Sequence, residues 1–298
     1  MSKHGFRVLD SDLNVMEPGD LYERYLDTAF RHRTTRLLEA SAGYLHHWQV
    51  NGYTFPRPIG RGRTESDVRS RVILREYSAA GFDSASHLRA MDVEGIDVAI
   101  LFRTLPVVCV DTLEPEFAIA LCRAWNDWMA DFRKPDPRRM QAAALLTLHD
   151  GKLAAQELRR AVTDLGFAAA QMMPNPVNGV NLHDPALDPL WAEAERLGVP
   201  ICFHPAPNNY AQDHFVNRFL TRPSSTLTLG LNNPVELMSA VASMTAGGVL
   251  ERFPRLKCAF LEGNCAWLPW LLWRLDEYWE MCKSGEEAKL QALPSEYF

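Results

Sequence analysis

The stretch Val199-Pro-Ile-Cys-Phe-His-Pro205 decides the fold. Val199, Ile201, Cys202 and Phe203 make a nearly unbroken apolar run, as a parallel strand covered on both faces requires. Just upstream, Asp188 to Leu197 carries a helical pattern closed by Gly198, a helix-stop residue. The order is helix, glycine, strand, His204. In α/β folds chemistry sits at the carboxyl ends of strands, where His204 falls. Taken alone, the stretch fits a working histidine and one that merely satisfies a strand end equally well.

The same unit recurs on both sides. Ile96–Phe102 reads as a strand ending at Arg103, and Met140–Thr147 as another. Phe167–Met173 is closed by Pro174-Asn175-Pro176, and Leu256–Leu261 runs into Glu262-Gly263-Asn264. Phe6–Asp10 is a short first strand. His87–Gly95, Glu116–Phe132, Ala154–Leu165, Pro234–Leu250 and Trp267–Tyr278 read as helices. Strand then helix repeats six times, and right-handed crossovers roll such a repeat into a barrel. A closed barrel of this type has eight strands. The expected fold is therefore α/β, a (β/α)8 TIM-barrel type lacking its last two βα units, in one domain over residues 1–298.

Two stretches stand outside the repeat. Residues 28–80 hold many arginines, His46-His47, Asn51-Gly52, Pro56 and Pro58, and lack clear β-branched runs. They read as an inserted lid or oligomer contact with short helices. Residues 206–232, with Asn208, Asn209, His214 and Asn232-Asn233, read as a long polar loop over the strand ends.

The bulk properties narrow the function. The chain has 298 residues, 47% of them hydrophobic, with 8 Trp and 14 Phe, enough for a substantial core. A net charge of −6 argues against a nucleic-acid surface. No apolar run approaches the ~18 residues of a membrane span, and Met1-Ser-Lys-His-Gly-Phe6 has no signal-peptide core. The 6 cysteines form no CxxC pair and suit a reducing compartment, so a cytoplasmic protein is expected. Alternation puts Asp10, Asp12 and Asn14 on one side of an extended chain, either a metal or substrate edge or a capped loop.

The motifs Val8-Leu-Asp-Ser-Asp-Leu-Asn-Val-Met-Glu-Pro18, Ala90-Met-Asp-Val-Glu-Gly-Ile-Asp97, Ala124-Trp-Asn-Asp-Trp128, Pro200-Ile-Cys-Phe-His-Pro205 and Phe253-Pro-Arg-Leu-Lys257 together resemble the amidohydrolase-related family. This branch of metal-dependent TIM barrels includes aminocarboxymuconate-semialdehyde decarboxylase and the aromatic-acid decarboxylases. The resemblance runs along nearly the whole chain. It implies a metal held by the first strand, by a histidine ending strand five and by an aspartate ending strand eight. Here those places fall on Asp12 and Asn14 and on His204, and the last aspartate has no counterpart. Asn14 departs from the usual histidine, and so does Glu262 at strand six.

The resemblance implies a metal-dependent hydrolase or decarboxylase acting on a small carboxylate-bearing or aromatic substrate. The alternative is a relative that binds a ligand or partner without turnover. The divalent ion would be Zn, Mn or Mg, and one imidazole among oxygen donors suits the harder Mn²⁺ or Mg²⁺ better. Glu262 is a ligand, a general base or a carboxylate tied to nearby backbone, and His204 is the other candidate catalytic residue. Arg103 offers a fork for a substrate carboxylate, or a salt bridge to Asp12 or Glu17. Asn175, His214 and Asn264 are candidate substrate contacts, with His183 a weaker one. Trp267, Trp270 and Trp273 recur at helical spacing and read as a core stripe, as do Trp125 and Trp128. Open strand edges predict self-association, hence a homo-oligomer. No nucleic acid or membrane partner is expected.

Overall fold

The computed structural model describes residues 5–37, 47–55, 77, 80–105, 108, 110–206, 210–219, 225–286 and 288–298. In chain order the strands are β1 (Leu9–Asn14), β2 (Thr34–Leu37), β3 (His47–Val50), β4 (Tyr53–Phe55), β5 (Val98–Phe102), β6 (Met140–Leu145), β7 (Ala169–Met172), β8 (Ile201–Phe203) and β9 (Cys258–Phe260). The helices are α1 (Leu21–Tyr25), α2 (Ser84–Glu94), α3 (Pro115–Phe132), α4 (Gly151–Thr163), α5 (Asp188–Leu197), α6 (Ser225–Met244), α7 (Val249–Arg252) and α8 (Leu268–Cys282). His46, Pro56, Pro58, Cys109, Asn208 and Asn209 lie outside the described residues.

Each βα unit carries its own punctuation. Asp83 accepts the Ser86 amide at the start of α2, and Gly95 ends that helix at φ 72°. Asp150 accepts the amides of Lys152 and Leu153 at the start of α4. Such caps satisfy amides that have no partner inside the helix. Gly198, at φ 69°, ends α5 and turns the chain into β8.

Six strands form one parallel sheet in the order β1-β5-β6-β7-β8-β9, curled into part of a barrel with helices on one side. The helix-facing side packs Ala99, Leu101, Ala142, Ala144, Ala170, Met172, Ile201 and Phe203 against α3, α4 and α5. Phe117, Leu121 and Trp125 of α3 are at most 1% exposed, each worth about 1.5–3 kcal/mol by area removed from water. The other side holds a small separate cluster of Phe102, Ala143, Ala169 and Cys202.

The structure differs from expectation in four places. β1 runs on to Asn14 because Leu13 and Asn14 pair with Leu101 and Phe102 of β5, so the candidate acid edge is strand rather than loop. The described part of the 28–80 segment holds a 3-10 turn, Arg31–Arg33, and an antiparallel sheet, β2-β3-β4, which the expectation of short helices did not include. Asn51 and Gly52, at φ 51° and 84°, supply the left-handed turn that folds β3 onto β4. α6 begins at Ser225 and carries Pro234 inside it, so the 206–232 stretch is shorter as a loop than its polarity suggests. Finally, Trp270 and Trp273 are 56% and 58% exposed, not core, because no described element covers that face of α8. Trp125 and Trp128 are buried as expected. No described helix is long and apolar enough to cross a membrane.

Candidate metal centre

Three strand ends bring Asp12, His204 and Glu262 together. A bulge between Asp10 and Leu13 interrupts the pairing of β1, and the Asp12 amide donates to Asp10 Oδ1 at 3.0 Å inside it. β8 delivers His204, whose amide donates to the Met172 carbonyl at 2.9 Å and prolongs the ladder with β7. β9 leads to Glu262, held at φ 60°, with Asn264 at φ 59°. A side chain at positive φ is strained unless its surroundings enforce it. Gly263 between them allows that turn to press on α6, since a Cβ there would lie 2.2 Å from Leu237 Cδ1.

The histidine is buried, at 2% exposure. Its Nδ1 lies 3.0 Å from the Pro205 carbonyl, which can only accept, so Nδ1 carries the proton. In the neutral ring Nε2 is then a bare lone pair. It lies 3.4 Å from Asp12 Oδ1 and 3.8 Å from Glu262 Oε1. Both His204 Nε2 and Asp12 Oδ1 are buried without a hydrogen-bond partner. Glu262 turns its other oxygen to Asn233 Nδ2 at 3.3 Å, leaving Oε1 for the centre. Phe102 stacks beside the imidazole, with centroids 5.5 Å apart and planes at 26°.

Three acceptors facing one another repel unless a cation sits among them. Ligands bound at about 2.1 Å and 90–110° apart stand roughly 3.0–3.4 Å from each other; the Asp12–His204 pair, at 3.4 Å, meets the top of that range and the Glu262–His204 pair, at 3.8 Å, lies just beyond it. The ligand atoms of Asp12, His204 and Glu262 all lie within 4.8 Å of one another, the one such group among the described residues. Residues and spacing therefore fit a divalent ion.

Arg103 sits beneath this centre at 1% exposure. Its Nη2 donates to the His204 carbonyl and lies against Met173 Sδ, both at 2.8 Å, while Nε and Nη1 have no partner. It makes no salt bridge to Asp12 or Glu17. Glu17 instead accepts the amides of Thr104 and Leu105, at 3.0 and 3.4 Å, and the Trp125 indole at 3.1 Å. Burial pushes the Glu17 carboxyl above its ordinary range against those donors.

The other candidates fall at varying distances from the group. Asn14 is exposed and donates Nδ2 to the Arg103 carbonyl at 3.3 Å. Asn175 is 1% exposed, with Nδ2 on the Pro176 carbonyl and Oδ1 without a partner. His214 is buried and accepts the Val216 amide at Nδ1, beside a separate cavity of about 570 Å³. Asn264 is exposed and accepts the Cys265 amide. His183 lies 3.3 Å from Ser243 Oγ, away from the three ligands.

Sequence reasoning missed Gln171. It is fully buried, accepts the Arg103 amide at 3.1 Å and donates to the Ala143 carbonyl at 2.7 Å, tying three strands below the centre. Its signal was a lone amide inside the apolar strand Ala169-Ala-Gln-Met172. It also missed Asp111 and Glu236, loop and helix carboxylates with no motif around them.

Comparison with known proteins bears on the family and the fold. The amidohydrolase family model matches residues 48–292. A 2-amino-3-carboxymuconate-6-semialdehyde decarboxylase of Dictyostelium discoideum is 30% identical over 191 residues, 64% of this chain and 50% of that protein. A gamma-resorcylate decarboxylase of Rhizobium radiobacter is 32% identical over 204 residues, 64% of this chain and 58% of that protein. The matched stretch thus spans little more than half the length of these relatives. A crystal structure of an amidohydrolase from Mycobacterium avium subsp. paratuberculosis superposes with a TM-score of 0.76 at 23% identity, over 98% of this chain and 81% of that one. It shares the fold.

Proposed function

The chain belongs to the amidohydrolase family, and from that premise we propose that it is a metal-dependent decarboxylase of a small aromatic or unsaturated carboxylic acid. The observation that carries the reading is the convergence of three lone-pair atoms, two of them buried and unpartnered, from Asp12, His204 and Glu262. Both named relatives are decarboxylases, which supports lyase over hydrolase chemistry and an enzyme over a non-catalytic binder. We read the six parallel strands as the first six of an eight-stranded barrel, with the 28–80 segment inserted after β1.

Asp12, His204 and Glu262 would hold the ion. When bound, it supplies Lewis-acid polarisation of substrate oxygens. Arg103, with two nitrogens unpartnered, is assigned to the substrate carboxylate, where a buried guanidinium is strong and directional. Asn175 Oδ1, also unpartnered, accepts a substrate hydroxyl or amine. Phe102 walls the imidazole and keeps water from that side. Glu262 is the most solvent-exposed of the three, with 38% of its side chain accessible, and is placed to pass a proton to or from substrate. Asn264 stands at the rim beside it and Asn14 braces the Arg103 backbone, while His214 lines the separate cavity. The site's reach to solvent and the exposed face of α8 support self-association of this chain.

The test is metal content by elemental analysis of the purified chain beside His204→Ala, followed by CO2 release from hydroxybenzoates. Near-stoichiometric Mn, Mg or Zn that is lost in the variant supports the proposal. Metal-free protein after incubation with each ion would overturn it.

A further inference from the structure

One sizeable cavity lies away from the three ligands. It measures about 570 Å³ and opens between the loop after β7, the turn Phe215–Phe219 and α6. Leu182, Phe215 and Val235 give it apolar walls, and Asp213, Glu236 and Arg218 bring charge to it.

Among the described residues those charges form no ion pair. Glu236 is 4% exposed. Its Oε1 accepts the Phe215 amide at 2.6 Å, and Oε2 has no hydrogen bond among the described residues. Asp213 and Arg218 enter no ion pair among the described residues, and the Arg218 guanidinium rests 5.2 Å from the Phe215 ring centroid. Behind Asp213 stands Asp111, 3% exposed, with Oδ2 on the Gln212 amide and Oδ1 unpartnered. Burial pushes the Glu236 carboxyl up to about 7, and repulsion from Asp213 adds to it. Asp111 is raised by the same two causes in the same order. A buried carboxylate that pairs with no cation among the described residues is a standing cost that an N–H-bearing cation would remove. A metal ion suits it less, because the one group of three converging ligands among the described residues lies elsewhere.

The geometry points to a second binding site here, apart from the metal centre, for a small zwitterion. Glu236 and Asp213 hold an ammonium group, Arg218 holds a carboxylate, and Leu182, Phe215 and Val235 receive an apolar side chain. A free α-amino acid with a branched aliphatic side chain has this chemistry, and the volume lies in the range of small-molecule pockets. Ammonium–carboxylate and guanidinium–carboxylate hydrogen bonds are the strong, charge-assisted kind.

Calorimetric titration of the whole chain with L-leucine tests this, beside 3-methylbutylamine and 4-methylpentanoate, which each keep the skeleton and lose one charge. Leucine should bind, with both analogues weaker by roughly tenfold or more. Glu236→Gln, which keeps an acceptor for the Phe215 amide, and Arg218→Ala, at the exposed rim, should each weaken leucine about tenfold. Metal content should stay at the wild-type level in both, so this site and the metal centre fail or stand separately. No leucine binding, equal binding of either analogue, or unchanged affinity in both variants would overturn the assignment.

Discussion

His204 Nε2 faces Asp12 Oδ1 across 3.4 Å, and neither atom has a hydrogen-bond partner. The ring spends its proton on the Pro205 carbonyl, so the pair presents two acceptors to the same point. Asp12→Asn keeps the shape and removes one anion. Its affinity for Mn²⁺ should fall by roughly 100-fold, since loss of supporting partners alone costs about 10–100-fold. Titration calorimetry of the metal-stripped chain checks this. Wild-type Mn²⁺ affinity in the variant would remove Asp12 from the ligand set.

Glu236 makes stability depend on pH. Its folded carboxyl titrates at about 7 against an ordinary 4.5, so the folded state prefers the proton. That contribution is fully present below about pH 4.5 and is lost as pH rises through about 7. The span corresponds to roughly 3 kcal/mol from this group at most. Asp213 and Asp111 face it as acids, Arg218 as the nearby base, and His214 adjoins them. Urea midpoints measured at pH 5 and pH 8 should fall with rising pH in the wild type and fall less in Glu236→Gln. Identical slopes would show that Glu236 does not carry this effect.

The sheet was legible because parallel strands are buried on both faces, and unbroken runs such as Ile96–Phe102 have few other readings. Strand-end position then picked out His204 and Glu262 without side-chain geometry. The bulge in β1 was not legible, because it depends on pairing with β5 rather than on local residues. Nor was the fate of the α8 tryptophans. Periodicity shows that a helix has an apolar stripe, and only packing shows whether anything covers it. Asn51-Gly52 carried a hairpin signal that the surrounding arginines obscured. Glu17 and Gln171 work through backbone amides of other strands, contacts that no local pattern encodes.

Glu17 holds the turn after β5. Glu17→Ala strips the acceptor from two amides and an indole at a site 1% exposed. The expected cost is about 2–4 kcal/mol, from donors left buried and unpaired. Glu17→Gln keeps an acceptor and removes a buried charge, so it should cost about 1 kcal/mol or less. Urea unfolding compares the two, and an alanine variant as stable as the glutamine one would contradict the role.

The two kinds of tryptophan give opposite expectations. Trp125 is 1% exposed, packs on Trp128 and donates its indole N–H to Glu17. Trp125→Ala should cost about 3–5 kcal/mol by cavity formation and a lost partner. Trp270 and Trp273 are more than half exposed, at 56% and 58%, and replacing either with Gln should change monomer stability by about 0.5 kcal/mol or less. Those two residues lie one helical turn apart on a face that also presents Tyr278 and Met281. An apolar patch of that kind favours association. Light scattering should therefore show a larger particle for the wild type than for Trp270→Gln/Trp273→Gln at the same concentration. If both chains scatter as monomers, the α8 face does not join copies of this protein. If the double variant instead unfolds, the tryptophans belong to a core that the structure leaves open.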